Sequence, residues 1–154
     1  MHELSIAVAA ISQIEEAAER HGADRVAVVR LRIGELSGVV PEALRFSFGI
    51  AAEATRLAGA RLEIETVEGR ARCPVCGREA PTGVPPALWC APCGAARDVL
   101  SGRELEIARV ELDDTPVSED AGASDATGAT GVTGATRKVN PADLTRKANH
   151  VPHR

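Results

Sequence analysis

Leu4, Val8, Ile11, Ile14 and Ala18 recur at i, i+4, i+7, i+10 and i+14, a period that gathers them on one face of a helix over about Ser5–Arg20. Glu15, Glu16, Glu19 and Arg20 fall mostly away from that face. His21-Gly22 ends it, with glycine at the left-handed position past the last turn and His21 where the helix dipole favours it. The period then changes to two. Ala27, Val29, Leu31 and Ile33 take one face of a strand over Arg25–Ile33, and Val26, Val28, Arg30 and Arg32 take the other. Gly34–Val40 reads as a loop. Pro41 opens a second helix at its first position, where a missing N–H costs nothing. Leu44, Phe48 and Ala51/Ala52 form its buried stripe, Phe46 and Ile50 a neighbouring flank, and Leu57-Ala58-Gly59 its end. Arg61–Val67 alternates as a second strand, Leu62 and Ile64 inward, Glu63 and Glu65 outward. Glu104–Leu112 is a third, but Leu105 and Ile107 are out of phase with Val110 and Leu112, which predicts a bulge or a switch of partner near Ala108.

All four cysteines lie between the second and third strands, as Cys73-Pro74-Val75-Cys76-Gly77 and Cys90-Ala91-Pro92-Cys93-Gly94. The spacing C-x₂-C-x₁₃-C-x₂-C is close to the four-cysteine zinc pattern. Two sulfurs two residues apart reach one ion only if the backbone turns tightly, and glycine after the second cysteine tolerates the positive φ of such a turn. Four thiolates at about 2.3 Å close a tetrahedron and leave no open position for chemistry. Disulfides are disfavoured in a chain that carries no signal peptide and reads as cytosolic. A redox C-x-x-C does not usually come as a matched pair. A rubredoxin-like iron site shares these ligands and stays open; structural zinc is the favoured reading. Arg70–Asp98 offers few large apolar residues beyond Val75, Val84, Leu88 and Trp89, so a metal worth about 10–16 kcal/mol must hold it.

The order is helix, strand, helix, strand, cysteine module, strand. The two strands flanking the module are expected to pair antiparallel. This is an α+β architecture: a three-stranded sheet with two helices, and an inserted four-cysteine zinc-ribbon-like domain. The expected division is 1–69 plus 99–114 for the α/β domain, 70–98 for the zinc domain, and 115–154 as a disordered tail rich in Gly, Ala, Ser and Thr.

Composition narrows the function classes. Aromatics are 2% of the chain, only Phe46, Phe48 and Trp89, so the core must be aliphatic. Residues 1–114 hold 13 Lys/Arg against 18 Asp/Glu, a net of −5. An acidic body lacks the basic face that phosphate contacts need, which argues against a nucleic-acid partner. No stretch is long and apolar enough to span a membrane.

His2 offers a second metal question. At a chain start, the terminal amine, the His2 backbone amide and imidazole and the neighbouring Glu3 amide suit Ni(II) or Cu(II) in one plane. His150 and His153, at i, i+3 in the tail, read as solvated residues rather than a ligand pair.

Several motifs then converge. Met1-His2-Glu3-Leu4-Ser5, Leu31-Arg32-Ile33-Gly34-Glu35-Leu36-Ser37-Gly38-Val39, Pro41-Glu42-Ala43-Leu44-Arg45-Phe46, the paired C-x-x-C-G knuckles and Ser101-Gly102-Arg103-Glu104-Leu105 together resemble the HypA/HybF family of nickel metallochaperones for hydrogenase maturation, over about residues 1–112. The resemblance implies a non-enzymatic, cytoplasmic carrier, monomeric or weakly dimeric. It implies that His2, with Met1 and Glu3 by amine or backbone nitrogen, binds Ni(II), and that Cys73, Cys76, Cys90 and Cys93 hold structural Zn(II). It further implies delivery to the NiFe hydrogenase large-subunit precursor with a HypB-type GTPase, some relatives also serving urease. Two features depart from it: no histidine lies between His21 and His150 to tune the zinc site with pH, and the tail is longer than the family pattern.

The rival from another class is a zinc-ribbon adaptor for nucleic acid or transcription machinery, which salt-dependent affinity for DNA or RNA would mark. A zinc hydrolase needs an open metal position that a four-cysteine site denies.

Overall fold

The computed structural model describes residues 3–113, 136–140 and 142. Helix α1 (Glu3–Arg20) leads to strand β1 (Arg25–Gly34), helix α2 (Pro41–Ala52) and strand β2 (Arg61–Val67). The cysteine module follows, with short strands β3 (Arg70–Arg72), β4 (Glu79–Pro81), β5 (Trp89–Cys90), β6 (Ala95–Ala96) and β7 (Asp98–Ser101). Strands β8 (Leu105–Asp113) and β9 (Thr136–Val139) complete the described chain. The main sheet has the order β2-β1-β8-β9, the module sheets β4-β3-β7 and β5-β6. The α+β class holds.

The sequence reading is corrected at the centre of the sheet. β2 and β8 flank the cysteines, yet they do not pair with each other. β1 lies between them, parallel to β2 and antiparallel to β8. A parallel β1–β2 pair requires a crossover, and α2 supplies it. The central strand is the long one with the most apolar inner face, and it gains partners on both edges. The fourth strand is a second correction: Thr136–Val139 belongs to the stretch expected to be disordered, but it pairs antiparallel with β8 and buries Val139 in the core. The remaining disorder expectation, for 115–135 and most of 141–154, lies outside the described residues.

The bulge near Ala108 is present. Arg30 opposes Arg109 and Leu31 opposes Ile107, so Ala108 is the extra residue on β8. A second bulge was not foreseen. Val26 opposes Leu112 and Val28 opposes Glu111, which leaves Ala27 unpaired on β1 and turns the strand by one phase. Val26 is therefore buried alongside Val29, Leu31 and Ile33, against the alternation expected for Arg25–Ile33.

Both helices cover the same apolar layer, but their faces differ from the simple stripes. On α1 the core residues are Ile6, Ala7, Ala10, Ile11, Ile14, Ala17 and Ala18, whereas Leu4 and Val8 are exposed. The alanines explain the rotation: small side chains let the helix approach its neighbours closely. The end of α1 is as read, with Ala23 N–H bonded to Ala18 O at 2.9 Å, Gly22 N–H to Glu19 O at 3.0 Å, and Gly22 at φ +66°. α2 stops at Ala52 rather than near Gly59. The Thr55 hydroxyl donates to Ala52 O at 2.8 Å and accepts from Leu57 N–H at 3.1 Å, closing a turn that buries Leu57 completely. On the sheet face away from the helices, Arg30 pairs with Glu63 at 2.7 Å, and Arg32 with Glu106 at 2.7 Å and Glu65 at 3.3 Å. The Glu63 carboxyl is held below its ordinary value, first by its hydrogen bond from Arg30.

Candidate metal centre

β3 carries the chain into Cys73, and the first knuckle turns back through β4. Gly77 N–H bonds to Cys73 O at 2.9 Å and Cys73 N–H to Arg78 O at 3.0 Å, with Gly77 at φ +70°. The second knuckle repeats the device between β5 and β6: Gly94 N–H bonds to Cys90 O at 2.9 Å, and Gly94 sits at φ +60°. A Cβ would meet nothing within 4 Å at either glycine, so the backbone angle alone requires them.

The four thiols converge as the spacing implied. Their Sγ atoms all lie within 4.8 Å of one another. Cys76 Sγ and Cys90 Sγ are 3.9 Å apart, well beyond a disulfide bond, and all four cysteines are free. Thiolates at about 2.3 Å from one tetrahedral ion stand about 3.8 Å from each other, so the cluster has the size a metal needs. Cys73 and Cys90 are fully buried, Cys76 faces solvent and Cys93 is intermediate. The Cys73 thiol is brought down to about 7, chiefly by the Cys76 backbone N–H, with Val75 N–H assisting. The Cys93 thiol is pushed up to about 12 by its hydrogen bond with Cys76 and by burial among like groups. One sulfur is thus poised as a thiolate while another holds its proton, the asymmetry expected when four acids crowd one point.

The module has almost no apolar core of its own. Val75, Val84 and Trp89 are exposed, and its buried apolar residues are Ala71, Cys73 and Cys90. It is anchored instead at a junction the sequence reading missed. Leu36 N–H donates to Gly102 O at 2.6 Å, Glu35 N–H to Val67 O at 3.0 Å, and Gly69 N–H to the Glu35 carboxylate at 2.8 Å. Three glycines make room: a Cβ on Gly34 would fall onto the Gly102 carbonyl, one on Gly69 onto the Thr82 hydroxyl, and one on Gly102 would lie 2.5 Å from Gly69 Cα. The available signal was a glycine ending a strand pattern, which marks close backbone approach.

The other expected ligands fall differently. Glu3 begins α1, and its carboxylate accepts the Val40 N–H at 3.3 Å. Met1, His2, His150 and His153 lie outside the described residues.

Four free thiols on two glycine knuckles, carried by a small α+β body, define a metal-binding protein with a centre closed by its own ligands. Comparison with known proteins makes the class specific. The model of the family described as hydrogenase/urease nickel incorporation, metallochaperone, HypA matches residues 1–112. A hydrogenase maturation factor HypA of Streptomyces avermitilis is 54% identical over 117 residues, covering 74% of this chain and 88% of the relative. Its counterpart in Roseiflexus is 48% identical over 120 residues, covering 75% and 96%. The solution structure of the Ni metallochaperone HypA from Helicobacter pylori superposes with a TM-score of 0.53 at 25% identity, over 73% of this chain and 97% of that one. The chain belongs to the HypA family of metallochaperone maturation factors, and is not an enzyme.

Proposed function

We propose that this protein is a nickel carrier. It takes up Ni(II) at its N-terminal residues and hands it to the NiFe hydrogenase large-subunit precursor. The observation that carries this reading is the family match over residues 1–112, which includes both the Met1-His2-Glu3 start and all four cysteines. With Met1 as the first residue, its amine, the His2 amide and imidazole and the Glu3 amide form a nitrogen set suited to Ni(II). A few nitrogen donors at a chain start hold the ion without enclosing it, which suits a cargo that must leave.

Cys73, Cys76, Cys90 and Cys93 hold Zn(II) in this reading. The donor set fits: four free sulfurs within 4.8 Å of one another. Bound there, zinc supplies folding energy and no chemistry. The working division is a nickel domain of residues 1–69 plus 99–114 and a zinc domain of 70–98. The protein acts in the cytoplasm beside a HypB-type GTPase and serves urease maturation where that enzyme is present.

The test is a nickel titration of zinc-loaded protein with an unmodified N-terminus, beside His2→Ala and an N-terminally extended form. Stoichiometric binding that both changes abolish, with the fold intact, supports the reading. Binding that survives both changes moves the nickel elsewhere and refutes the role of His2.

A further inference from the structure

β9 is the described strand that lies outside the family match, which ends at residue 112, and its Val139 sits in the common core. Its connection is unusual. The register sets Thr136 opposite Asp113, a gap that a hairpin turn of about 2–5 residues would close. The chain spends 22 residues, 114–135, on it. β9 is placed by its contacts with the described body.

Those contacts are specific. Four residues pair with β8, from Val110↔Val139 to Asp113↔Thr136. Val139 is 3% exposed. Lys138 stands opposite Glu111, whose carboxylate also pairs with Arg109 of β8. The Arg137 guanidinium donates to the His21 carbonyl at 2.6 Å, just past the end of α1, where the helix dipole is negative. Without β9, β8 would present a row of unpaired N–H and C=O groups, the surface on which extended segments add as a further strand.

We propose that the outer side of β8 is a strand-addition site for an extended segment of basic–basic–β-branched pattern, and that Thr136–Val139 is its tethered occupant, competing with partner strands for that edge. Charge chooses the partner: Glu111 on the edge and the end of acidic α1 beside it receive the two cations, and Val110 and Leu112 receive the branched apolar residue. Belonging to the same chain gives this strand an effective concentration on the order of millimolar. A partner must exceed that to enter.

The test uses the full zinc-loaded chain and a labelled peptide of residues 135–142, ATRKVNPA. Two variants release β9: Val139→Asp, and the combined T136G/R137S/K138G/V139S, which buries no charge if the first unfolds. Both are expected to bind the peptide at least about tenfold more tightly than wild type, since the internal competitor is gone. A peptide with both cations changed to glutamate is expected not to bind. Amide exchange in the wild type gives a reading independent of the variants: because β9 opens locally, its amides exchange about a hundredfold faster than those of β1. Equal protection of β9 and β1, no gain of binding in the folded variants, or equal binding of the charge-reversed peptide would each overturn the proposal. So would variants that dimerise in a way the peptide cannot reverse, which would give the edge to a second copy.

Discussion

The Cys73 thiol lies under the N–H groups of Cys76 and Val75, which favour its thiolate form. Its value in the fold, about 7, is below its ordinary 9.0. The stabilisation it gives the metal-free fold is complete above the ordinary value and lost as pH falls through about 7. Cys93 runs the other way: its contribution is present below 9.0 and lost as pH rises toward about 12. Near neutrality, metal capture must expel the Cys93 proton, so binding releases protons. Apparent zinc affinity is expected to fall by at least about tenfold per pH unit on acidification below neutrality, measured by chelator competition; a flat profile would contradict the thiolate site. The glycines give a second prediction at this scale. Gly34→Ala is expected to cost roughly 2–4 kcal/mol in denaturant unfolding, because its Cβ meets the Gly102 backbone. Gly38→Ala, at φ +75° with nothing within 4 Å, is expected to cost only about 1–2 kcal/mol. The knuckle glycines were legible because a C-x-x-C-G turn demands positive φ. Gly34, Gly69 and Gly102 were not, because their constraint comes from chain segments beyond their own turns: Gly102 for Gly34, Thr82 and Leu36 for Gly69, Gly69 and Leu36 for Gly102.

At the scale of elements, periodicity placed both helices and the three longest strands, and β2 has the bounds read from its alternation. Periodicity failed where geometry departs from the ideal. The Ala108 bulge left a signature, a break of phase between Ile107 and Val110, and was foreseen. The Ala27 bulge lies in a run of alternating small and branched residues where either phase reads as apolar. On α1, an apolar count favoured Leu4 and Val8, but packing favours the alanine face. On α2 the assignment of Phe48 to the core and Phe46 to the flank holds: Phe48 is 2% exposed and Phe46 71%. Phe48→Ala is therefore expected to cost about 3–5 kcal/mol. Phe46→Ala is expected to change stability by no more than about 0.5 kcal/mol. Equal effects in equilibrium unfolding would mean that α2 is turned the other way.

At the scale of the molecule, a body with an aliphatic core carries a module that lacks one. Removing the metal is expected to disorder the strands β3 to β7 while β1, β2 and β8 stay protected, because the core of the body contains none of the cysteines. Amide spectra before and after chelation check this; a body that unfolds with the module would contradict it. What the sequence determined by itself is whatever depends on near neighbours: the helix and strand periods, the glycine-bearing knuckles, the four-sulfur ligand set and the motifs that mark the family. Only the tertiary structure decided that β1 lies between β2 and β8, that Val26 turns inward at a bulge, that three distant glycines seat the module, and that Thr136–Val139 closes an edge. Each of these depends on which backbone meets which across a long loop, and a local pattern of side chains carries no record of its distant partner.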